Sequence, residues 1–163
     1  MRAVPPVTRF YVAFLLPVLT FGQACKPDQL SVAGELRGAG LGHNYGRVIV
    51  QNVSQSACQV EGVPRVAILD DSGKVIPSKT QGNVGVNACG DGSNRYLLKP
   101  GASAAVWTDT VSANYEENVC GTLMRMSLNG KSAVIRTIAC GEKGTAVEVS
   151  LSGFVDPNAC GSK

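Results

Sequence analysis

Six cysteines stand at positions 25, 58, 89, 120, 140 and 160, and no two are closer than 20 residues. A cysteine metal site needs close pairs of the Cys-x-x-Cys kind, so this even, wide spacing speaks for disulfides instead. Disulfides persist where the surroundings are oxidising, which places the folded chain outside a reducing cytosol. Six sulfurs allow many pairings. The ordering that spacing favours starts with Cys120–Cys140, which flank two apolar segments joined by a turn at Asn129-Gly130-Lys131. Cys25–Cys58 then ties the chain start to the end of the second strand, and Cys89–Cys160 pins a long loop to the C-terminus.

The N-terminus agrees with export. Arg2 and Arg9 precede a 13-residue uncharged stretch from Phe10 to Gly22, and Gly22-Gln23-Ala24 puts small residues where a signal peptidase cuts. Thirteen residues rise only about 20 Å as a helix, short of the roughly 30 Å of a bilayer core. Residues 1–24 therefore read as a cleaved signal peptide and 25–163 as one domain, secreted or periplasmic, with no transmembrane span. A lipid anchor on Cys25 is the minor alternative, disfavoured because Gly22 replaces the branched residue such a signal carries three positions before its cysteine. Losing the leader removes two of the 15 Lys+Arg, leaving 13 against 12 Asp+Glu. That near-neutral balance, with no cluster of basic residues, excludes a nucleic-acid binder.

Beyond residue 24 the sequence is short apolar runs broken by glycine, asparagine and aspartate. Val147, Val149 and Leu151 alternate with Glu148, Ser150 and Ser152, the period-two signature of a strand with one dry face. Ala104, Val106 and Thr108 oppose Ala105 and Trp107 in the same way, and Trp107 is expected as the large residue of the core. Asp70-Asp71-Ser72-Gly73 and Pro100-Gly101 are turns, and Pro77 marks a strand end or a sheet edge. No helical period is sustained after the leader. About eight to ten short strands of this kind predict an all-β fold, an immunoglobulin-like antiparallel β-sandwich held by disulfides.

Chemistry is sparsely provisioned. His43 is the single histidine, between a glycine-rich turn and a strand. A hydrolytic site would need a nucleophile beside it and an acid to hold its ring, and no Gly-x-Ser-x-Gly elbow exists. Met124 and Met126 share a strand face, and with His43 they form the alternative of a soft-metal, copper-carrying site; core filling is the plainer role of two methionines. Asp70/Asp71 and Glu116/Glu117 are adjacent pairs, poor geometry for two carboxylates acting on one bond. The polar segment 108–119 carries Tyr115 and Glu116, and together with His43 and Asn44 it forms a candidate binding edge. Asn52-Val53-Ser54 matches a glycosylation acceptor.

Several stretches together resemble a known family. Asn52 followed by Cys58-Gln59-Val60-Glu61-Gly62-Val63-Pro64-Arg65-Val66, then Asp70/Asp71 with Gly73, is similar to the signature of bacterial exported domains of the domain-of-unknown-function 4232 family. So are Leu98-Lys99-Pro100-Gly101-Ala102-Ser103-Ala104 with Trp107, and the placing of Cys120 and Cys140. The resemblance spans about residues 25–155 and implies a secreted or lipid-anchored, cysteine-bridged all-β domain without assigned activity. Val63 stands where the family often has an aromatic residue, and Cys89 and Cys160 look like an added pair. The expected function is a non-catalytic, monomeric domain that needs no cofactor and binds a protein or a cell-envelope ligand through its loops. A soft-metal carrier comes second and a small secreted hydrolase third.

Overall fold

Two long strands open the fold in the computed structural model, which describes residues 22–82, 92–112 and 118–158. After a 3₁₀ turn at Pro27–Gln29, β1 (Leu30–Gly40) and β2 (His43–Asn52) pair as an antiparallel hairpin. β3 (Cys58–Glu61), β4 (Arg65–Leu69), β5 (Val75–Ile76) and β6 (Ser78–Gln81) follow, then β7 (Arg95–Leu98) and β8 (Ser103–Val111). β9 (Asn118–Leu128), β10 (Lys131–Glu142) and β11 (Val147–Leu151) complete the order.

These strands form three sheets: five strands in the order β1-β2-β8-β11-β6, four in the order β10-β9-β4-β5, and the pair β3-β7. Alternation in the sequence decides which side of each strand is dry. Val48 and Val50 of β2, Val106 of β8, and Val147, Val149 and Leu151 of β11 turn to one side of the five-stranded sheet. Ile68, Met124, Met126 and Ile135 turn inward from the four-stranded sheet, and both sets join one apolar cluster with Val60, Leu98 and Phe154. Each fully buried aliphatic side chain of this kind contributes roughly 1.5–3 kcal/mol.

One expectation about topology is corrected. The pairing is not antiparallel throughout, because β11 runs parallel to β6, with Val147 opposite Ser78. The return strand after Lys74 stops at Pro77, one of the two roles expected of that proline. β5 ends at Ile76 against β4, and β6 begins at Ser78 against β11, so the chain passes from one sheet to the other at Pro77. Proline has no N–H, so a break there forfeits no ladder bond, while the Pro77 carbonyl still accepts from the Val147 N–H at 2.9 Å.

Polar groups caught between the sheets are paired. β10 gains one extra residue between Arg136 and Ala139, opposite Leu123 and Gly121 of β9. The Ile138 carbonyl at this bulge accepts from Asn44 Nδ2 at 2.8 Å and from Thr110 Oγ1 at 3.2 Å. Asn52 is fully buried: its Nδ2 donates to the carbonyls of Ser56 (2.7 Å) and Leu98 (3.0 Å), and its Oδ1 accepts from the Ser54 backbone (2.9 Å). The acceptor motif at Asn52 is thus sealed inside the fold. The β9–β10 turn is Asn129-Gly130, both at positive φ (46° and 76°), the geometry of a two-residue hairpin turn.

Among the described residues two disulfides close the frame. Cys25 joins Cys58, and the Cys25 N–H donates to the Gln59 carbonyl at 2.9 Å, so the start of the domain lies along β3. Cys120 joins Cys140, its direct cross-strand partner in the β9–β10 ladder. Cys89 and Cys160 lie outside the described residues.

Candidate functional site

The outward side of the five-stranded sheet carries the only histidine of the sequence and, among the described residues, most of the ion pairs. Odd-numbered residues of β2 point there: His43, Tyr45, Arg47 and Ile49 are half-buried, while their even-numbered neighbours are buried in the core. Across the ladder, Tyr45 stands opposite Asp109 and Arg47 opposite Trp107. On the other flank Glu35 of β1 stands opposite Arg47.

Interactions among these residues follow from that register. His43 reaches diagonally to Asp109, with Nδ1 at 2.9 and 3.1 Å from the two carboxylate oxygens. A carboxylate only accepts, so Nδ1–H is the donor, and among the described residues Nε2 is bonded to none. The ring stacks on Tyr45 at 6.1 Å between centroids. Next along the strand, Arg47 is bonded to Glu35 through Nε, donates from Nη1 to the Pro157 carbonyl (3.1 Å), and lies over the Trp107 ring at 5.6 Å.

Trp107 corrects an expectation. It is buried, but on the outward side, in a satellite cluster with Ala105, Val155 and Tyr45 rather than in the main core. The C-terminal segment covers it. After Leu151 the chain keeps following β8, and Ala105 and Val155 exchange backbone bonds of 2.8 and 3.0 Å. Among the described residues, the Trp107 indole N–H has no hydrogen-bond partner.

The expected site residues fall into separate places. His43 is on this face. Asn44, expected beside it at a binding edge, turns inward to the Ile138 carbonyl, because adjacent strand residues face opposite sides. Tyr115 and Glu116 lie outside the described residues. Met124 and Met126 fill the core at 0% and 1% exposure, while the ring contacts of His43 are with Asp109 and Tyr45. The soft-metal arrangement is therefore not assembled: burial on an apolar face explains both methionines. Among the described residues no three His, Cys, Asp or Glu side chains gather as metal ligands. Sequence reasoning missed Asp109 as the acid that holds His43, since 66 residues separate them and only the β2–β8 pairing joins them.

Electrostatics away from this face are local. Asp70 accepts from the Ser72 hydroxyl (2.6 Å) and from the backbone of Lys74 and Ser72 (both 2.9 Å). These bonds, with the Ser72 hydroxyl foremost, hold its carboxyl below the ordinary aspartate range. Asp71 accepts from the Thr122 hydroxyl at 2.6 Å. At the end of the sheets a cavity of about 370 Å³ opens beside Cys140, lined also by Val111, Asn118, Glu142 and Glu148.

The sequence that builds this layout matches a known family. The family model described as domain of unknown function (DUF4232) matches residues 25–159. The chain belongs to the DUF4232 family. No curated protein and no solved structure matches it. Most of the stretches that carry DUF4232 resemblance in the sequence have structural work here. Asn52 locks the loop before Cys58, Gly101 at φ 76° completes the turn into β8, and Asp70 builds the turn after β4. Among the described residues no helix is long and apolar enough to cross a membrane.

Proposed function

We propose that this DUF4232 chain is an exported, non-catalytic binding domain, an immunoglobulin-like sandwich whose contact surface is the outward side of the five-stranded sheet around His43. Residues 1–24 are its signal peptide, and 25–163 the mature, secreted or periplasmic domain. The match to the family begins at Cys25, directly after the expected cut. The Cys25–Cys58 bond supports a disulfide role for Cys25 over a lipid anchor.

The observation that carries the binding role is the cluster of His43, Tyr45 and Asp109, partly open to solvent at side-chain exposures of 40% for His43 and 23% for Asp109. Stacked ring, oriented imidazole and fixed carboxylate offer a partner aromatic area and hydrogen bonds that need no ordering on contact. A photo-crosslinking residue at Tyr45, in protein made by an exporting bacterium, is expected to give a discrete adduct that His43→Ala weakens. No adduct, or an equal one from a crosslinker at Ser132 on the other sheet, overturns the assignment of this face.

One observation favours a second reading, that of a small hydrolase. An imidazole held at Nδ1 by a carboxylate is the arrangement of a general base. Among the described residues the hydrogen bonds of His43 go to Asp109, and no hydroxyl or thiol is bonded to its ring. Turnover of chromogenic esters that disappears in His43→Ala would favour this reading over binding alone.

A further inference from the structure

The opposite side of the molecule carries a second, differently built surface. Arg65 on β4, Arg125 on β9 and Arg136 on β10 stand exposed on the outward side of the four-stranded sheet. Register fixes how they relate. Arg65 is opposite Ser127 while Arg125 is opposite Ala67, so the two are diagonal neighbours. Arg125 is opposite Val134 while Arg136 is opposite Leu123, a second diagonal step in the same direction. Diagonal cross-strand positions lie about 7–8 Å apart, so the three arginines are rooted in an oblique row at that interval.

The row is not neutralised within the described residues. Arg47 and His43 on the other sheet have carboxylate partners, but none of the ion pairs among described residues includes Arg65, Arg125 or Arg136. Glu61, which shares a cavity of about 400 Å³ with Arg65, is paired to Arg95 at 3.4 Å. Asp71 is engaged by Thr122. Beside the arginines lie exposed aliphatic residues, Val134 and Ile138 at 51% each and Val75 at 55%. Arginine amid exposed apolar area is the composition of protein interfaces, from which lysine is depleted.

We infer that this sheet face docks an extended acidic segment of a partner protein, with a carboxylate at every second residue. Alternate side chains of an extended strand point the same way about 6.6–6.8 Å apart, close to the spacing of the row. The partner is not a second copy placed by two-fold symmetry, since that brings arginine against arginine. A bilayer is the weaker fit, because short β-branched side chains flush with a sheet reach little hydrocarbon. The inference goes beyond the proposed function and does not depend on the His43 face.

Two fluorescein-labelled peptides of equal composition test it against the full, oxidised chain: five Glu-Thr repeats, and five glutamates followed by five threonines. Fluorescence anisotropy at low ionic strength is expected to show tighter binding of the alternating peptide. Each single Arg→Gln change should weaken it roughly two- to fivefold, the scale of exposed ion pairs. The triple variant should lose roughly tenfold or more, while Lys79→Gln, Lys99→Gln and Lys143→Gln together, which remove the same charge elsewhere, should leave binding intact. Equal binding of the two peptides, or equal loss in the lysine variant, overturns the inference. So does arginine-dependent sedimentation with phosphatidylglycerol vesicles in the absence of peptide binding. Should the triple variant fold poorly, Arg136→Gln alone against the lysine control decides the matter.

Discussion

Asn44 Nδ2 lies 2.8 Å from the Ile138 carbonyl, a bond that spans the two sheets at the one-residue bulge in β10. The bulge turns that carbonyl inward, and Asn44 with Thr110 replaces the partner it lost in the ladder. Asn44→Ala should cost about 1–3 kcal/mol, the penalty for a buried group left short of partners. Urea denaturation measures it. Combined with Thr110→Val, the loss should differ from the sum of the singles, because both side chains serve one oxygen. Strict additivity would mean that the two bonds act independently.

Asn52 should be less replaceable still. Its amide group donates to two carbonyls and accepts from Ser54, with no exposed surface. Asn52→Asp swaps the donor for a second acceptor facing the Ser56 and Leu98 carbonyls and buries a charge. It should destabilise more than Asn52→Ala, which itself costs on the order of 2 kcal/mol. Thermal melts of the two variants at neutral pH give the ranking.

Each disulfide is expected to contribute about 3 kcal/mol, mostly by restricting the unfolded chain. The bridges close sequence separations of 33 and 20 residues for Cys25–Cys58 and Cys120–Cys140. Paired Cys→Ser variants compared by chemical denaturation should show losses of this size. Mass mapping without reductant should also return both bridges, and a mature chain starting at Cys25.

Acid should loosen the turn after β4 before it melts the sheets. The Asp70 carboxyl is held below its ordinary range by Ser72 and Lys74, so its stabilising contribution is complete above the unfolded-state value. That contribution is lost as pH falls through the lower, folded-state value. A carboxyl-carbon NMR titration should place the Asp70 midpoint below that of free aspartate, and Asp70→Asn should remove the acid sensitivity of the Ser72 and Lys74 amide signals.

What the sequence discloses depends on how far each interaction reaches. Strand alternation is a property of neighbours, so the dry sides of 104–108 and 147–151 can be read directly. The Cys120–Cys140 bridge follows from the hairpin between the two cysteines, again local. Pro77 shows that a strand stops, but not that the chain changes sheets, because that depends on β11 arriving to pair with β6. Trp107 misleads for a related reason: an aromatic ring is buried wherever a cover exists, and here the cover is a C-terminal segment running along β8. The acid that holds His43, and the oblique row of arginines, exist only once strand register is fixed.

The parallel seam between β6 and β11 carries a consequence for the order in which the molecule is made. β6 is synthesised roughly seventy residues ahead of the strand it must join, and loop closure over that distance is slow. Until the C-terminus emerges, that edge stays open and able to recruit strangers. Truncations that spare every earlier strand but delete β11 are therefore expected to accumulate as aggregates.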